Sequence, residues 1–241
     1  MISSARKLWL AAAVTLFMLA ATGCNDQLRQ FIIPIPKPGG DPGTLANAIV
    51  LSTNPAASGN GSTLHINVSG DTIVGVVTTG PNPVFFDVAA SRVFVINGNN
   101  TLTTYVALLP TTPPFSTVVL PASTSGAIAG GTSSSGNFFT ANRGSNDVNV
   151  ISANLLASVA TVVVGTEPVA IAGNANNAKI YVVNHGGNDV TVVNTSDNTV
   201  TKISLAVGSQ PIWAVMSANG ADVFVVNQGS NNVSVIATAS L

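Results

Sequence analysis

The sequence predicts an all-β chain built from repeated four-stranded sheets, and three observations predict it. Asparagines that end a β-rich run stand at Asn54, Asn97, Asn142, Asn184 and Asn227, in steps of 43, 45, 42 and 43 residues. A second marker keeps that period: Pro83, Pro168 and Pro211 each follow a glycine (Gly80, Gly165, Gly208) and precede an apolar run, with Ser125 filling the slot between the first two. Beyond the amino-terminal segment, no long stretch carries the 3.6-residue apolar period of a helix. A period in the low forties with four short strands per unit is that of a β-propeller blade, whereas helical solenoids of similar period need amphipathic helices.

One unit shows the pattern in full. Val169 to Ala172, Ile180 to Asn184, Val190 to Val193 and Val200 to Val207 are rich in Val, Ile, Thr and Tyr, and Gly, Asn, Asp and Pro separate them. The second and third runs form a hairpin, Tyr181 to Val193, around a polar loop. The same frame recurs at Phe138 to Ile151 and Val223 to Ile236, and a weaker copy one loop residue shorter follows Asn97. Counting from Ala48 gives about eighteen strands, or about four and a half blades, with the sequence stopping after the third strand of a unit.

The runs Tyr181-Val182-Val183-Asn184, Phe224-Val225-Val226-Asn227 and Phe139-Thr140-Ala141-Asn142, with Val164 to Pro168 and Val207 to Pro211 in the Val-Gly-x-x-Pro place, resemble the YVTN β-propeller repeats. The resemblance covers residues 48 to 241. It implies a ring that commonly has seven blades, of which this sequence is an open arc. An arc leaves unpaired strand edges. The expectation is therefore a fragment of a longer reading frame, or a protein that pairs its open edges with another copy. Similar propellers include lactonases and quinoprotein dehydrogenases.

The front of the chain reads differently. Arg6 and Lys7 precede Leu8 to Ala21, fourteen residues in which only Thr15 is polar, a secretory h-region too short for a comfortable membrane span. It ends in Leu19-Ala20-Ala21-Thr22-Gly23-Cys24, similar to a bacterial lipoprotein signal, which implies that Cys24 is lipidated after removal of residues 1–23. Ordinary cleavage near Ala21 is the alternative. Cys24 is the one cysteine, so it has no internal disulfide partner. At about 0.8 kcal/mol per buried methylene, two or three acyl chains anchor a protein essentially permanently. Residues 24–47 carry Pro34, Pro36, Pro38 and Pro42 and read as an extended tether, with Phe31-Ile32-Ile33 as a candidate extra strand. Residues 48–241 are the repeats.

Composition narrows the function. Charged residues are 7% and apolar ones 46% of 241 residues, and the part after the signal holds six basic and nine acidic side chains. With no basic stripe interleaved with aromatics, nucleic acid is not an expected partner. Solvation falls to Ser, Thr and the 25 asparagines, which hydrogen-bond locally in turns without adding charge.

The recurrent loop Asn-x-Gly-x-Asn reads as turn chemistry, with Asn142, Gly144, Asn184, Gly186, Asn227 and Gly229 chosen for tolerance of positive φ and for local bonding. The variable residue inside that frame, Arg143, His185 or Gln228, is a candidate ligand-facing rim, because equivalent propeller loops share one end. Scattered solvated side chains are the plainer reading. Asp147 and Asp189 sit at matched positions, but each loop offers a single carboxylate, so a turn role is expected over calcium. His65 and His185 lie far apart, and no zinc site is expected. No nucleophile elbow or phosphate loop is present. Trp213, Phe85 and Phe86 read as core or channel lining. No metal, no cofactor and no catalytic residue is assigned, and Asp87, Glu167 and Gln210 are isolated polar candidates on or beside the inner strands.

The expected function is a lipid-anchored binding or scaffold module at the bacterial cell envelope, on the periplasmic or cell-surface side. Its partners would be the membrane, through the anchor, and a protein or glycan. The rivals are a propeller enzyme of lactonase or quinoprotein type, with catalytic residues in further blades, and a structural surface-layer component.

Overall fold

The structure, a computed structural model, describes residues 47–53, 59–67, 72–107, 115–173 and 178–240. The leader, Cys24, the tether, the Phe31 strand and Asn54 lie outside the described residues. Eighteen antiparallel strands form five sheets, and the only helical element described is a 3-10 turn at Thr238–Ser240. Sheet one holds β1 (Asn47–Ser52), β2 (Asn60–Asn67) and β3 (Thr72–Pro81). Sheet two holds β4 (Pro83–Ala89), β5 (Arg92–Asn97), β6 (Thr101–Val106) and β7 (Ser116–Val119). Sheet three holds β8 (Ala127–Thr132), β9 (Phe138–Asn142), β10 (Asp147–Ser152) and β11 (Ala157–Val163). Sheet four is β12 (Pro168–Ala172), β13 (Lys179–Asn184), β14 (Asp189–Asn194) and β15 (Val200–Ser204), and sheet five is β16 (Pro211–Met216), β17 (Asp222–Asn227) and β18 (Asn232–Ala237).

The sheets are blades. Each four-stranded one is a meander in chain order, and the first strands β4, β8, β12 and β16 lie against one another from blade to blade. These are the innermost strands, and small residues let them converge. A Cβ on Gly131 of β8 would stand 2.6 Å from Ile171 Cγ2 of β12, and one on Gly173 would stand 2.3 Å from the Thr132 carbonyl. The ring is an open arc. Among the described residues, sheet one has no innermost strand and sheet five no outermost one. β15 also stops at Ser204, short of the expected Val207, because Val207 is fully exposed and leads into a left-handed turn at Gly208.

Four apolar clusters fill the four junctions between blades. In inner blades both faces of a strand are covered, so β5 and β13 read as unbroken apolar runs, Val93-Phe94-Val95-Ile96 and Ile180-Tyr181-Val182-Val183, all fully buried. At the junction of blades two and three, Phe94 stacks on Phe138 with centroids 4.9 Å apart and planes 7° from parallel. The outer strands β11 and β15 are largely exposed, and their Ser, Thr and Lys202 suit a solvated edge. Phe86 belongs to the cluster between blades one and two, while Phe85 and Trp213 pack against neighbouring clusters, so these aromatics serve the core.

Candidate functional site

The loops after the second strand of each blade carry the repeated chemistry, and one hydrogen-bond frame recurs in four of them. Asn142 Nδ2 donates to Asp147 Oδ1 (2.6 Å) and Asn149 Oδ1 (2.8 Å). Asn184 Nδ2 donates to Asp189 Oδ1 (2.6 Å) and Thr191 Oγ1 (2.9 Å), and Asn227 Nδ2 to Asn232 Oδ1 and Ser234 Oγ, both 2.8 Å. In the shorter copy Asn97 Nδ2 reaches Thr101 Oγ1 (3.0 Å) and Thr103 Oγ1 (3.1 Å). Each asparagine is buried and pins the start of the third strand with both amide hydrogens. Asp147 and Asp189 therefore do turn work, accepting these bonds, and Lys202 adds an ion pair to Asp189 at 2.7 Å.

The left-handed positions are not those expected from sequence. Positive φ falls on the second asparagine of each loop, Asn100, Asn146, Asn188 and Asn231, and neither on the first asparagine nor on the loop glycine. Gly144 and Gly229 are needed for close approach instead: a Cβ there would stand 2.6 Å from Ser125 Oγ and 2.1 Å from the Gly208 carbonyl. The turn that enters each innermost strand crowds against that glycine. Its own left-handed residue is Asn82, Gly126, Glu167 or Gln210. Pairing then corrects the second marker, since Pro83, Ala127, Pro168 and Pro211 face Asn97, Asn142, Asn184 and Asn227. Ala127, and not Ser125, holds the proline slot.

The second asparagine also reaches forward to the next blade. Asn146 Oδ1 accepts from Glu167 N and Asn188 Oδ1 from Gln210 N, both at 2.8 Å, and Asn100 Nδ2 donates to the Thr124 carbonyl at 2.9 Å. The rim candidates behave likewise. Arg143 pairs with Glu167 at 3.0 Å, both half-exposed, and His185 Nδ1 lies 3.2 Å from the Pro211 carbonyl of the next blade. Gly98 occupies this position in blade two and Gln228 in blade five. The backbone N–H of each donates to its own blade's entry turn, on Asn82, Gly126, Glu167 and Gln210, so all four stand at one end of successive blades. Gln228 borders a shallow recess of about 400 Å³ with Ile212, Val226, Asn231 and Val233.

Three titratable groups whose pKa burial shifts lie away from this end, His65 and Tyr105 fully buried and Asp87 half-buried. His65 Nε2 meets the Tyr105 hydroxyl at 2.9 Å, and that hydroxyl meets Thr63 Oγ1 at 2.6 Å, in a polar contact between blades one and two. Burial lowers the His65 pKa and pushes the Tyr105 hydroxyl up to about 12. Asp87 shares the face of β4 with Phe85 and Ala89, turned toward blade three, and burial pushes its carboxyl up to about 6 although Val88 N donates to it at 2.7 Å. Their signs oppose. Asp87 binds its proton more readily folded than unfolded, so its contribution is complete below the unfolded value near 3.8 and is lost as pH rises through about 6. His65 binds its proton less readily folded, so stability falls as pH drops below the ordinary 6.5. Asp87→Asn is expected to raise stability at pH 8 by roughly 1 to 2 kcal/mol, after discounting for partial exposure, and to leave it little changed at pH 4. Urea unfolding from pH 4 to 8 checks this, and an equal effect at both ends would contradict it.

Among the described residues no group of three or more His, Cys, Asp and Glu side chains gathers where a metal could sit. The arrangement defines a β-propeller repeat protein with four-stranded blades. Solved structures agree: the chain is similar to the virginiamycin B lyase from Staphylococcus aureus, at 13% identity and TM-score 0.59, over 78% of this chain and 66% of that one. It is similar at 11% identity and TM-score 0.58 to a streptogramin B lyase, over 88% and 84% of the two chains. A functionally unknown protein from Desulfotomaculum acetoxidans DSM 771 matches at 18% identity and TM-score 0.60, over 79% of this chain and 65% of that one. No family model and no curated protein matches the sequence.

Proposed function

We propose that this chain is a YVTN-like repeat protein, exported and lipid-anchored through Cys24, that acts as a binding or scaffold module at the cell envelope. One observation carries the reading. The first asparagine of each of the four described loops is consumed by the frame, while the position after it changes from Gly98 to Arg143 to His185 to Gln228 along the same end of four blades. A constant scaffold presenting a changing side chain is how a repeat array builds a recognition surface. The weak charge of the chain suits a neutral polar partner such as a glycan or a protein. Purified cell-wall sacculi are the probe. The anchored protein should co-sediment with them, and Arg143→Ala with His185→Ala and Gln228→Ala should release it while the fold persists, since an exposed ion pair such as Arg143–Glu167 contributes at most about 1 kcal/mol. Retention of the triple variant would refute the rim. In the same cells a clickable fatty acid should label the protein and not its Cys24→Ser variant, and equal labelling of both would refute the anchor.

A second reading, a propeller enzyme, draws on the likeness to the two lyases. Asp87 would then be the described side chain best suited to general acid–base work, with its carboxyl poised near 6. Turnover of a cyclic-ester substrate that Asp87→Asn abolishes would favour it.

A further inference from the structure

We propose that the junction between blades one and two is an acid-operated latch, closed by neutral His65 and opened by its protonation while the other three junctions stay shut. The surroundings of the ring support this. Thr63, His65 and Tyr105 are all fully buried, and the Tyr105 hydroxyl of blade two stands between two groups of sheet one, His65 Nε2 at 2.9 Å and Thr63 Oγ1 at 2.6 Å. His65 Nδ1 is buried too, and no described residue bonds to it. A bare lone pair is tolerated there more readily than a stranded N–H, so the neutral ring carries its proton on Nε2. It donates to Tyr105, which donates in turn to Thr63.

A second proton can go only to Nδ1. That would put a charged donor with no acceptor inside an apolar junction, a cost that opening to water removes. No counter-charge is at hand. The described strands of sheet one contain no Asp, Glu, Lys or Arg, and the cross-strand neighbours of His65 are Ile49 and Gly75. Across the junction, the strands of blade two carry only Asp87 and Arg92 as charged side chains, and both lie on its other face. Asp87 sits opposite Phe94, which packs toward blade three, and Arg92 Nε donates to Thr104 Oγ1, the partner of Phe94 on β6, at 3.3 Å. Tyr105 is therefore the one titratable group that meets the ring among the described residues.

The same junction has the least apolar packing to spare. Among the described residues its cluster holds five buried side chains, only Val77 of them from sheet one, where each of the other three clusters holds ten. Losing the central polar contact therefore removes much of what joins these blades. Asp87 works in the opposite sense on the far side of blade two, since burial favours its protonated form. Acid thus slackens one side of that blade and not the other. Where each blade leans mainly on its neighbours, one junction opens alone. The latch draws on neither the rim nor the anchor.

Hydrogen exchange of the full chain in mild detergent, corrected for the intrinsic pH dependence of exchange, should show the latch between pH 7.5 and pH 5. The open form takes its proton at the ordinary 6.5 and the closed form resists it, so blade one should lose protection by up to about tenfold for each pH unit below 6.5. Blades three and four should not. His65→Phe keeps an aromatic ring beside an intact Tyr105–Thr63 bond, and His65→Gln keeps an amide donor for Tyr105, so each should hold blade one equally at both pH values. Wild-type protection that ignores pH, parallel loss in every blade, or a blade-one response that survives in either variant overturns the proposal. Should both variants open blade one already at pH 7.5, the wild-type ring decides. Its nitrogen-15 shifts should show the Nε2–H form at pH 7.5 and protonation in step with blade-one exchange, and a protonated ring with blade one still protected overturns the proposal as well.

Discussion

Phe138→Ala is expected to destabilise the chain by about 3 to 5 kcal/mol, lowering the melting temperature by roughly 10 °C. Phe138 is fully buried and stacked face to face on Phe94 across the junction of blades two and three, within a cluster that also holds Ile96, Leu102 and Ile151. Truncation removes the ring from both its own sheet and the neighbouring one, and the rigid sheets cannot move together to fill the space. A nearby glycine makes the site stricter. A Cβ on Gly130 would stand 2.3 Å from Phe138 Cζ, so the ring has been accommodated by leaving out a side chain on β8. In a molecule where each blade touches mainly its neighbours, the damage should be local. Hydrogen exchange in Phe138→Ala should therefore rise in blades two and three ahead of blade four. A cost below 1 kcal/mol, or uniform loss of protection, would contradict the picture of four separate junction cores.

Asn142→Ala is expected to cost about 2 to 4 kcal/mol, and Asn227→Ala only about 1 kcal/mol, although the two residues are equivalent in the repeat. Asn142 donates to a buried carboxylate and to the buried Asn149, and its own Oδ1 accepts from Thr140 Oγ1 at 3.0 Å. Removing it takes the shorter of two side-chain bonds from a charged acceptor where water has little access, leaving only Ser145 Oγ donating to Asp147 Oδ1 at 3.0 Å. Asn227 bonds to Asn232 and Ser234, on a third strand that is mostly open to solvent, and its Oδ1 has no partner to lose. Water can replace the lost amide there. Paired urea titrations would show this gradient, and equal costs would mean that the frame derives its strength from the backbone turn and not from the side-chain bonds.

Much of this architecture was legible from spacing. Asparagines at nearly constant steps located the second strand of four described blades, and Asn97, one loop residue short, still makes both amide bonds because its acceptors Thr101 and Thr103 move one place closer. The proline marker misled at blade three. Ser125 lay near the average period, but pairing across the sheet puts Ala127 opposite Asn142, and Gly126 supplies the left-handed turn that Glu167 and Gln210 supply elsewhere. The glycines misled in another way. Gly144 and Gly229 look like residues chosen for positive φ, yet the need is for room against a turn distant in sequence, which no local pattern reveals. The forward reach of Asn146, Asn188, Arg143 and His185 was likewise invisible, since it links residues 21 to 26 positions apart in different sheets.

The sequence by itself determined the all-β class, the repeat length and the strand order, because alternation and turn chemistry are local and recur. Only the tertiary structure decided which faces are covered. Val183 and Val226 occupy the same place in the same motif, yet one is fully buried and the other 38% exposed. The difference is whether another blade lies in front, and burial depends on that neighbour and not on the residue.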